Sequence, residues 1–297
     1  MNIVIMGAGA IGSLFGSLLS KNNKVILIGR KPHIDSIKKN GLKIIGKTRL
    51  NTKIEAYSSI DDLSLRPDLI ILTVKSYDTT IALSQLKKII DKKTILMSLQ
   101  NGLNNIEKIN RFVKKENIII GITTNGAIFL DNGVIEHTGI GNTIIGGYNQ
   151  NIKDVINIFN KAGINTAINN NIIKEIWIKA IINSSINPLT AIFDCKNGYL
   201  LKNPILNNLV KKICIESTKV ANSIDIKLNY KDMIKKTKQV IIGTADNYSS
   251  MLQSCKKNKR SEIDSINGNI VKIGNSNNID VLLNESLVFT IKSLCKK

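Results

Sequence analysis

The chain is short of the residues that build metal sites and base-stacking surfaces. Its 297 residues include four cysteines, two histidines and one tryptophan, and aromatic residues make up 4% of the total. No two cysteines form a CxxC pair, so we do not expect a structural zinc site or any other metal. Cysteines without such a pattern are typically free thiols, and we predict a cytoplasmic protein.

Long apolar runs are also missing. No stretch reaches the roughly 18 apolar residues that a membrane-spanning helix needs. The N-terminus becomes glycine-rich after a short apolar segment and lacks the basic leader of a signal peptide. Because 43% of the residues are hydrophobic, the chain can still bury a large core, and its length predicts two domains.

Acidic residues are scarce beside basic ones, at 22 against 42, which gives a formal net charge of +20. Such a balance raises nucleic acid or an anionic membrane as partners. The lysines are scattered through the chain, however, and the few aromatic side chains leave little for base stacking. We therefore predict neither partner, and interpret the charge as compositional bias that also attracts anionic substrates.

Strand-like and helical segments alternate through the first half of the chain. Apolar strands are predicted at Asn2–Met6, Lys24–Ile28, 68–74, 94–99 and 117–122, with helices between most of them. This alternation is typical of a parallel sheet covered on both faces. Glycine-rich hairpins are expected over 126–148, and the pattern is helical from about 170. The sequence thus predicts a Rossmann-type α/β domain over 1–168 and an all-helical domain over 169–297.

The stretch MNIVIMGAGAIGSLFG carries a GxGxxG pattern between the first strand and the first helix. Gly7 would allow the tight turn, Gly9 the approach of a pyrophosphate, and Gly12 the close packing of helix on strand. The helix N-terminus would supply N–H groups and positive dipole to the phosphates. We predict a dinucleotide-binding loop formed by Gly7, Ala8, Gly9, Ala10, Ile11 and Gly12.

The end of the second strand indicates which dinucleotide binds. The sequence KVILIGRKPH places Arg30 where NAD-binding sites usually carry an acidic residue. An arginine can pair with a 2′-phosphate in a forked geometry, so NADP(H) is the predicted cofactor, although a merely solvated Arg30 is the alternative. Lys75 and Asn101 also follow predicted strands, and ligands bind at this edge of open α/β sheets.

Polar residues interrupt an otherwise apolar helix in the second half. Lys179, Asn183 and Asn187 are spaced by four and form one narrow stripe. These three polar side chains either face solvent or form a functional site, and the spacing alone does not distinguish the two. Pro188 is expected to interrupt or kink this helix.

Two later helix starts are predicted from capping patterns. Ser250 and Gln253 fit a capping box, and a second helix is predicted from Ser261 to Gly274. Glu262 would lie in the first turn of that helix, where complementing the helix dipole is the simplest role.

Five motifs resemble the ketopantoate reductase (2-dehydropantoate 2-reductase) family, in family order across almost the whole chain. They are GAGAIG at 7–12, QNG at 100–102, IWIKAIINSSINPLTAI at 176–192, NYSSMLQ at 247–253 and SEIDSINGNIV at 261–271. The resemblance implies a helical domain like that of 6-phosphogluconate dehydrogenase, and NADPH-dependent reduction of ketopantoate to (R)-pantoate in pantothenate and coenzyme A biosynthesis.

The resemblance also implies roles for individual residues. Lys179 is the expected general acid, and Glu262 the residue that holds the substrate hydroxyl, orients Lys179 and lies near the cofactor. The expected substrate-binding residues are Asn101, Asn183, Asn187 and Ser250. The expected cofactor-binding residues outside the glycine loop are Arg30, Lys75, Asn101 and Glu262.

Three other functions stay open at this stage. The chain could reduce another 2-keto acid, act as an NADPH-binding regulator without catalysis, or bind nucleic acid. A small-molecule 2-keto acid is the expected partner in the first case, and the sequence leaves monomer or homodimer open.

Overall fold

A computed structural model describes residues 1–295 and divides the chain into two compact units. Unit 1 comprises Met1–Gln100 and Asn105–Ile172, and unit 2 comprises Asn101–Asn104 and the chain from Ile173 onward. Unit 1 is built on a mixed α/β sheet and unit 2 is helical, which confirms the predicted fold class. The domain limits of 1–168 and 169–297 stay a prediction, since a grouping by packing does not test them.

Unit 1 contains twelve strands and five α-helices. The strands are β1 (Asn2–Met6), β2 (Lys24–Ile28), β3 (Leu42–Gly46), β4 (Leu50–Thr52), β5 (Glu55–Tyr57), β6 (Leu69–Leu72), β7 (Ile95–Ser98), β8 (Ile118–Thr123), β9 (Gly126–Asp131), β10 (Val134–Gly139), β11 (Thr143–Gly147) and β12 (Thr166–Ile168). The helices are α1 (Ala10–Leu19), α2 (Lys31–Asn40), α3 (Thr79–Leu86), α4 (Asn105–Asn110) and α5 (Ile152–Lys161).

Eight strands form the main sheet in the order β12-β11-β8-β7-β6-β1-β2-β5. The pairs of β1 with β2 and with β6 are parallel, and so is the pair of β6 with β7. These strands are almost wholly apolar because both sheet faces are covered. The connection leaves β1 toward β2 and later returns to β6 on its other side, so the carboxyl end of β1 is a topological switch point.

The glycine-rich segment 126–148 forms one hairpin, not the several that the sequence predicts. Only β9 and β10 form a hairpin, closed by Gly133 at φ +76°, while β11 pairs antiparallel with β8 of the main sheet. The hairpin joins β3 and β4 in a separate sheet of order β4-β3-β10-β9. The helix α2 was not predicted, since its charged sequence KPHIDSIKKN buries only three side chains.

Unit 2 consists of seven helices over the described residues. They are α6 (Ile172–Ile192), α7 (Tyr199–Lys202), α8 (Pro204–Asn222), α9 (Tyr230–Gly243), α10 (Ser250–Lys256), α11 (Asn267–Ser276) and α12 (Leu282–Leu294). The core lies around α6 and α8 and includes Ile181, Leu189, Val210 and Ile270. None of the helices within residues 1–295 combines the length and the apolar character needed to cross a membrane.

The structure contradicts two details predicted for these helices. Pro188 does not interrupt α6, which continues for four more residues, whereas the alternative of a kink stays a prediction. The helix predicted from Ser261 begins at Asn267, because residues 261–266 form a turn in which Ser265 and Ile266 donate backbone hydrogen bonds to the Glu262 carbonyl. Ile263 and Ile266 in the turn are buried, as is Ile270 of α11, so the hydrophobic period begins before the helix itself.

The prediction of free thiols is wrong for two of the four cysteines. Cys255 and Cys295 form a disulfide with a Cα–Cα distance of 4.8 Å, whereas Cys195 and Cys214 are free. The disulfide partners are 40 residues apart in sequence and lie in one small apolar cluster with Met251 and Ile263. Packing brings them together, and no sequence spacing indicates such a pair.

Candidate active site

The GxGxxG loop is fixed by the strands on both sides of it. The N–H groups of Gly7 and Ala8 both donate to the Ile28 carbonyl at the end of β2, at 3.0 and 2.8 Å. On the other side, the Thr73 hydroxyl donates to the Gly7 carbonyl at 2.8 Å. The loop is therefore held rigidly at the switch point of the sheet.

Each glycine of the loop meets a different steric demand. Gly7 has φ +114°, and a Cβ there would lie 2.5 Å from the Val74 nitrogen. A Cβ at Gly12 would collide with the Gly7 carbonyl and the Thr73 side chain, whereas a Cβ at Gly9 would meet nothing within 4 Å. The open space at Gly9 lies at the N-terminus of α1, which suits an approaching phosphate.

Arg30 follows β2 and is the N-cap residue of α2. Its side chain is exposed, and Asp35, the acidic residue of α2, pairs with Lys31 at 2.8 Å. No carboxylate of α2 is therefore directed at Arg30. The end of β2 presents a cation beside the glycine loop, since Ile28 and Met6 pair in register.

Lys75 follows β6, the other neighbour of β1, and is partly buried. The loop that carries it is held by Gln100, whose amide donates to the Val74 carbonyl at 2.9 Å and to the Thr79 hydroxyl at 2.8 Å. The structure thus brings the glycine loop, Arg30 and Lys75 to the same sheet edge.

In unit 2, the stripe on α6 does not face solvent. Lys179 and Asn183 are partly buried, and Asn187 is buried with 7% of its surface exposed. This burial favours the site over the solvent-facing strip, and the site itself stays a prediction. The stripe is a set of polar groups inside a largely apolar unit.

Lys179 and Glu262 interact, although 83 positions separate them in sequence. Burial lowers the pKa of the Lys179 ammonium to about 8, and the charge of the Glu262 carboxylate partly counteracts that shift. Glu262 is itself 7% exposed. A lysine with a pKa near 8 is protonated at neutral pH and can still release its proton readily, as a general acid must.

The turn that carries Glu262 also holds the segment Asn101–Asn104 of unit 2. The Leu103 N–H donates to the Ser265 carbonyl at 3.1 Å. Gly102 has φ +101°, and a Cβ there would lie 2.9 Å from both the Ser265 Cβ and its carbonyl oxygen. The short segment Asn101–Asn104 therefore packs on the Glu262 turn, which places Asn101 with the helical unit.

Ser250 is the first residue of α10, which confirms the predicted helix start, but it is not the cap, so the predicted capping box is wrong. Ser249 is the N-cap residue, and its hydroxyl accepts from the Leu252 N–H at 3.1 Å. The Ser249 hydroxyl also accepts from the Thr190 hydroxyl of α6 at 2.7 Å. Ser250 is exposed and directly follows Ser249, whose hydroxyl lies 3.5 Å from the Asn187 carbonyl oxygen of the stripe.

The sequence did not reveal the residues that hold these candidates in place. Besides Ser249 and Gln100, the buried His33 of α2 contacts the Ser13 hydroxyl of α1 at 3.1 Å and accepts from the Gly133 N–H at 2.9 Å. Their partners are distant in sequence, so local patterns could not identify them. No group of His, Cys, Asp and Glu within residues 1–295 is arranged to hold a metal ion.

The chain matches two family models in succession. Residues 3–150 match the model described as ketopantoate reductase PanE/ApbA, and residues 171–294 match that of its C-terminal part. A protein called 2-dehydropantoate 2-reductase from Pyrococcus abyssi is 42% identical, with 98% of this chain and 97% of the relative covered. A protein of that name from Archaeoglobus fulgidus is 32% identical over 98% of this chain and 97% of the relative.

Solved structures are similar over the full length. A PanE/ApbA family ketopantoate reductase from Ralstonia eutropha has a TM-score of 0.92 at 28% identity, and covers 99% of this chain and 98% of its own. A D-mandelate dehydrogenase solved with NADH and anilino(oxo)acetate has a TM-score of 0.93 at 29% identity with the same coverage. Motifs, fold and full-length matches agree, and the chain belongs to the ketopantoate reductase family.

Proposed function

We propose that the protein reduces 2-dehydropantoate to (R)-pantoate with NADPH, a step of pantothenate and coenzyme A biosynthesis. Family membership supports the reaction class. The observation that carries the proposal is the pair of Lys179 and Glu262: a partly buried lysine whose pKa is lowered to about 8, next to a buried carboxylate.

The cofactor proposal depends on residues at the edge of the main sheet. The loop Gly7–Gly12 would hold the pyrophosphate, since the space at Gly9 is open and the N-terminus of α1 favours anions. Lys75 would contact the phosphates or the nicotinamide portion. The bound cofactor supplies a hydride, and the residues of the chain position it.

The preference for NADPH over NADH is a finer proposal that Arg30 supports. The similar D-mandelate dehydrogenase was solved with NADH, so coenzyme choice in this chain depends on its own residues. Arg30 is exposed, and the acidic residue of its helix is paired with Lys31. A guanidinium in this position favours a 2′-phosphate, which a carboxylate would repel.

The residues of unit 2 would carry the proton transfer and the substrate. As hydride reaches C2 of the keto acid, negative charge develops on the carbonyl oxygen, and the Lys179 ammonium stabilises it and donates a proton. Glu262 would accept a hydrogen bond from the substrate hydroxyl and orient Lys179. Asn101, Asn183, Asn187 and Ser250 are polar groups that can bind the substrate without adding charge.

The direct test compares the turnover of ketopantoate by the wild type and by Lys179→Ala, followed as loss of NADPH absorbance. We expect Lys179→Ala to lose at least about 100-fold in kcat, the usual contribution of a general acid, and to bind NADPH as the wild type does. The exposed Lys212→Ala on α8 is the matched control. Near-normal turnover by Lys179→Ala would contradict the role assigned to Lys179. If the wild type binds NADPH but does not turn over ketopantoate, the protein is a regulator and not this reductase.

A second candidate is the reduction of a different 2-keto acid. The similarity to D-mandelate dehydrogenase, whose complex contains anilino(oxo)acetate, favours testing aromatic 2-keto acids. A panel of substrates compared by kcat/KM distinguishes the two, because each predicts a different preferred side chain. We also propose a cytoplasmic location for the enzyme, as a monomer or homodimer.

A further inference from the structure

A proline in α6 leaves one backbone carbonyl without its helical donor. In an α-helix the N–H of residue 188 would bond to the carbonyl of residue 184, but Pro188 has no N–H. The Ser184 carbonyl is buried, and it directly follows Asn183 of the polar stripe. A buried carbonyl without a partner costs roughly 1–3 kcal/mol, so a replacement donor is required.

Asn267 supplies that donor from another helix. Its side-chain amide donates to the Ser184 carbonyl at 3.2 Å and to Asn284 Oδ1 at 2.9 Å. Asn267 is fully buried and is the first residue of α11, five positions after Glu262. The hydrogen bond therefore joins the end of the Glu262 turn to the middle of α6, five positions after Lys179.

A carboxylate sets the direction of this hydrogen-bond chain. Glu216 on α8 accepts from the Asn284 amide at 2.7 Å and from the backbone N–H groups of Leu283 and Asn284 at 3.0 and 2.8 Å. Because a carboxylate only accepts, Asn284 must turn its NH2 toward Glu216 and its oxygen toward Asn267. Asn267 must then present its own NH2, which is the group that the Ser184 carbonyl needs.

We propose that Asn267 is a positioning residue: by donating to the Ser184 carbonyl that Pro188 leaves without a helical donor, it holds the Glu262 turn against the part of α6 that carries Lys179. The chain of bonds ties four helices, α6, α8, α11 and α12, and it meets α6 and α11 five positions after Lys179 and Glu262 respectively. Asn267 itself touches neither substrate nor cofactor in this proposal, which rests on the proposed function for its effect on catalysis.

The test measures the pKa of Lys179 without relying on turnover. The rate at which Lys179 is acylated is measured as a function of pH in the wild type and in Asn267→Ala, and its midpoint gives the pKa of Lys179. Peptide mass spectrometry identifies Lys179 as the acylated residue. If the Glu262 turn moves away, Lys179 loses a stabilising negative charge, and its pKa falls by about one unit. In parallel, kcat with ketopantoate falls at least about tenfold, while KM for NADPH stays unchanged.

Matched variants separate positioning from general stability. Asn197→Ala also removes a buried asparagine of unit 2, one that donates to the Thr244 hydroxyl at 2.9 Å, and it should leave the Lys179 pKa at the wild-type value. If Asn267→Ala does not fold, the measurement is made on the double variant with Pro188→Ala, whose new N–H satisfies the Ser184 carbonyl. That substitution restores the missing helical hydrogen bond but not the link to α11, so the lowered pKa of Lys179 should persist.

The proposal would be overturned if the pKa of Lys179 in folded Asn267→Ala, or in the double variant, equals that of the wild type. Absence of ketopantoate turnover in the wild type would instead refute the proposed function and leave the acylation result interpretable. A lowered melting temperature with an unchanged pKa would show that Asn267 is merely structural.

Discussion

The charge of Glu262 should control the pH range in which the enzyme works. Burial lowers the pKa of Lys179 from 10.5 to about 8 although Glu262 raises it. A change in pKa from 10.5 to about 8 corresponds to roughly 3 kcal/mol disfavouring the charged lysine. A general acid must be protonated, so log(kcat/KM) should be flat near pH 6–7 and should fall as pH rises through about 8.

Glu262→Gln keeps the shape of the side chain and removes its charge. Without that charge the pKa of Lys179 should fall further, by about one unit, as expected for loss of a nearby opposite charge. At pH 6 both enzymes keep Lys179 about 90% protonated or more, whereas at pH 9 the fractions are about 10% and about 1%. The ratio of variant to wild-type kcat/KM should therefore drop about tenfold between pH 6 and pH 9.

The assay is the initial rate of NADPH oxidation with ketopantoate across pH 5.5 to about 9.5, a range that brackets the lowered lysine pKa. Using a ratio removes any pH-independent loss caused by a weaker contact with substrate. Glu285→Gln on α12 is the control, a carboxylate of the same unit outside the proposed site. A constant ratio across this range, or an alkaline limb near pH 10 in the wild type, would refute the reasoning about Lys179.

Three further predictions concern cofactor choice and stability. Arg30→Ala should reduce the preference for NADPH over NADH about 10-fold or more, since a charge-assisted hydrogen bond contributes about 1.5–3 kcal/mol, and the comparison of kcat/KM for the two coenzymes checks it. Gly7→Ala should lower the unfolding free energy by more than about 1 kcal/mol and weaken NADPH binding, because of the φ of +114° and the contact with Val74; unchanged urea denaturation would contradict this. Cys295→Ser should lower the unfolding free energy by about 4 kcal/mol, the chain-entropy estimate for a loop of 40 residues. Adding a reductant should lower the unfolding free energy of the wild type to a similar value.

Local patterns in the sequence determined much of unit 1. The strands β1 and β2 have the predicted limits, because continuous apolar runs bounded by glycine or charged residues are strong local signals. The functions of Gly7 and Gly12 also follow from spacing, and the positive φ and the close contacts agree with it. The motifs of the second half identified the family, although their geometry stayed unknown.

The tertiary structure alone decided how those motifs meet. It showed that Glu262 lies in a turn before α11 and interacts with Lys179, and that Pro188 stays within α6 while Asn267 binds the carbonyl it leaves open. It also paired Cys255 with Cys295. Each of these contacts joins positions at least 40 residues apart, and packing determines them: hydrophobic period and capping preference act over a few residues, whereas the partner of a buried polar group depends on which helices the core brings together.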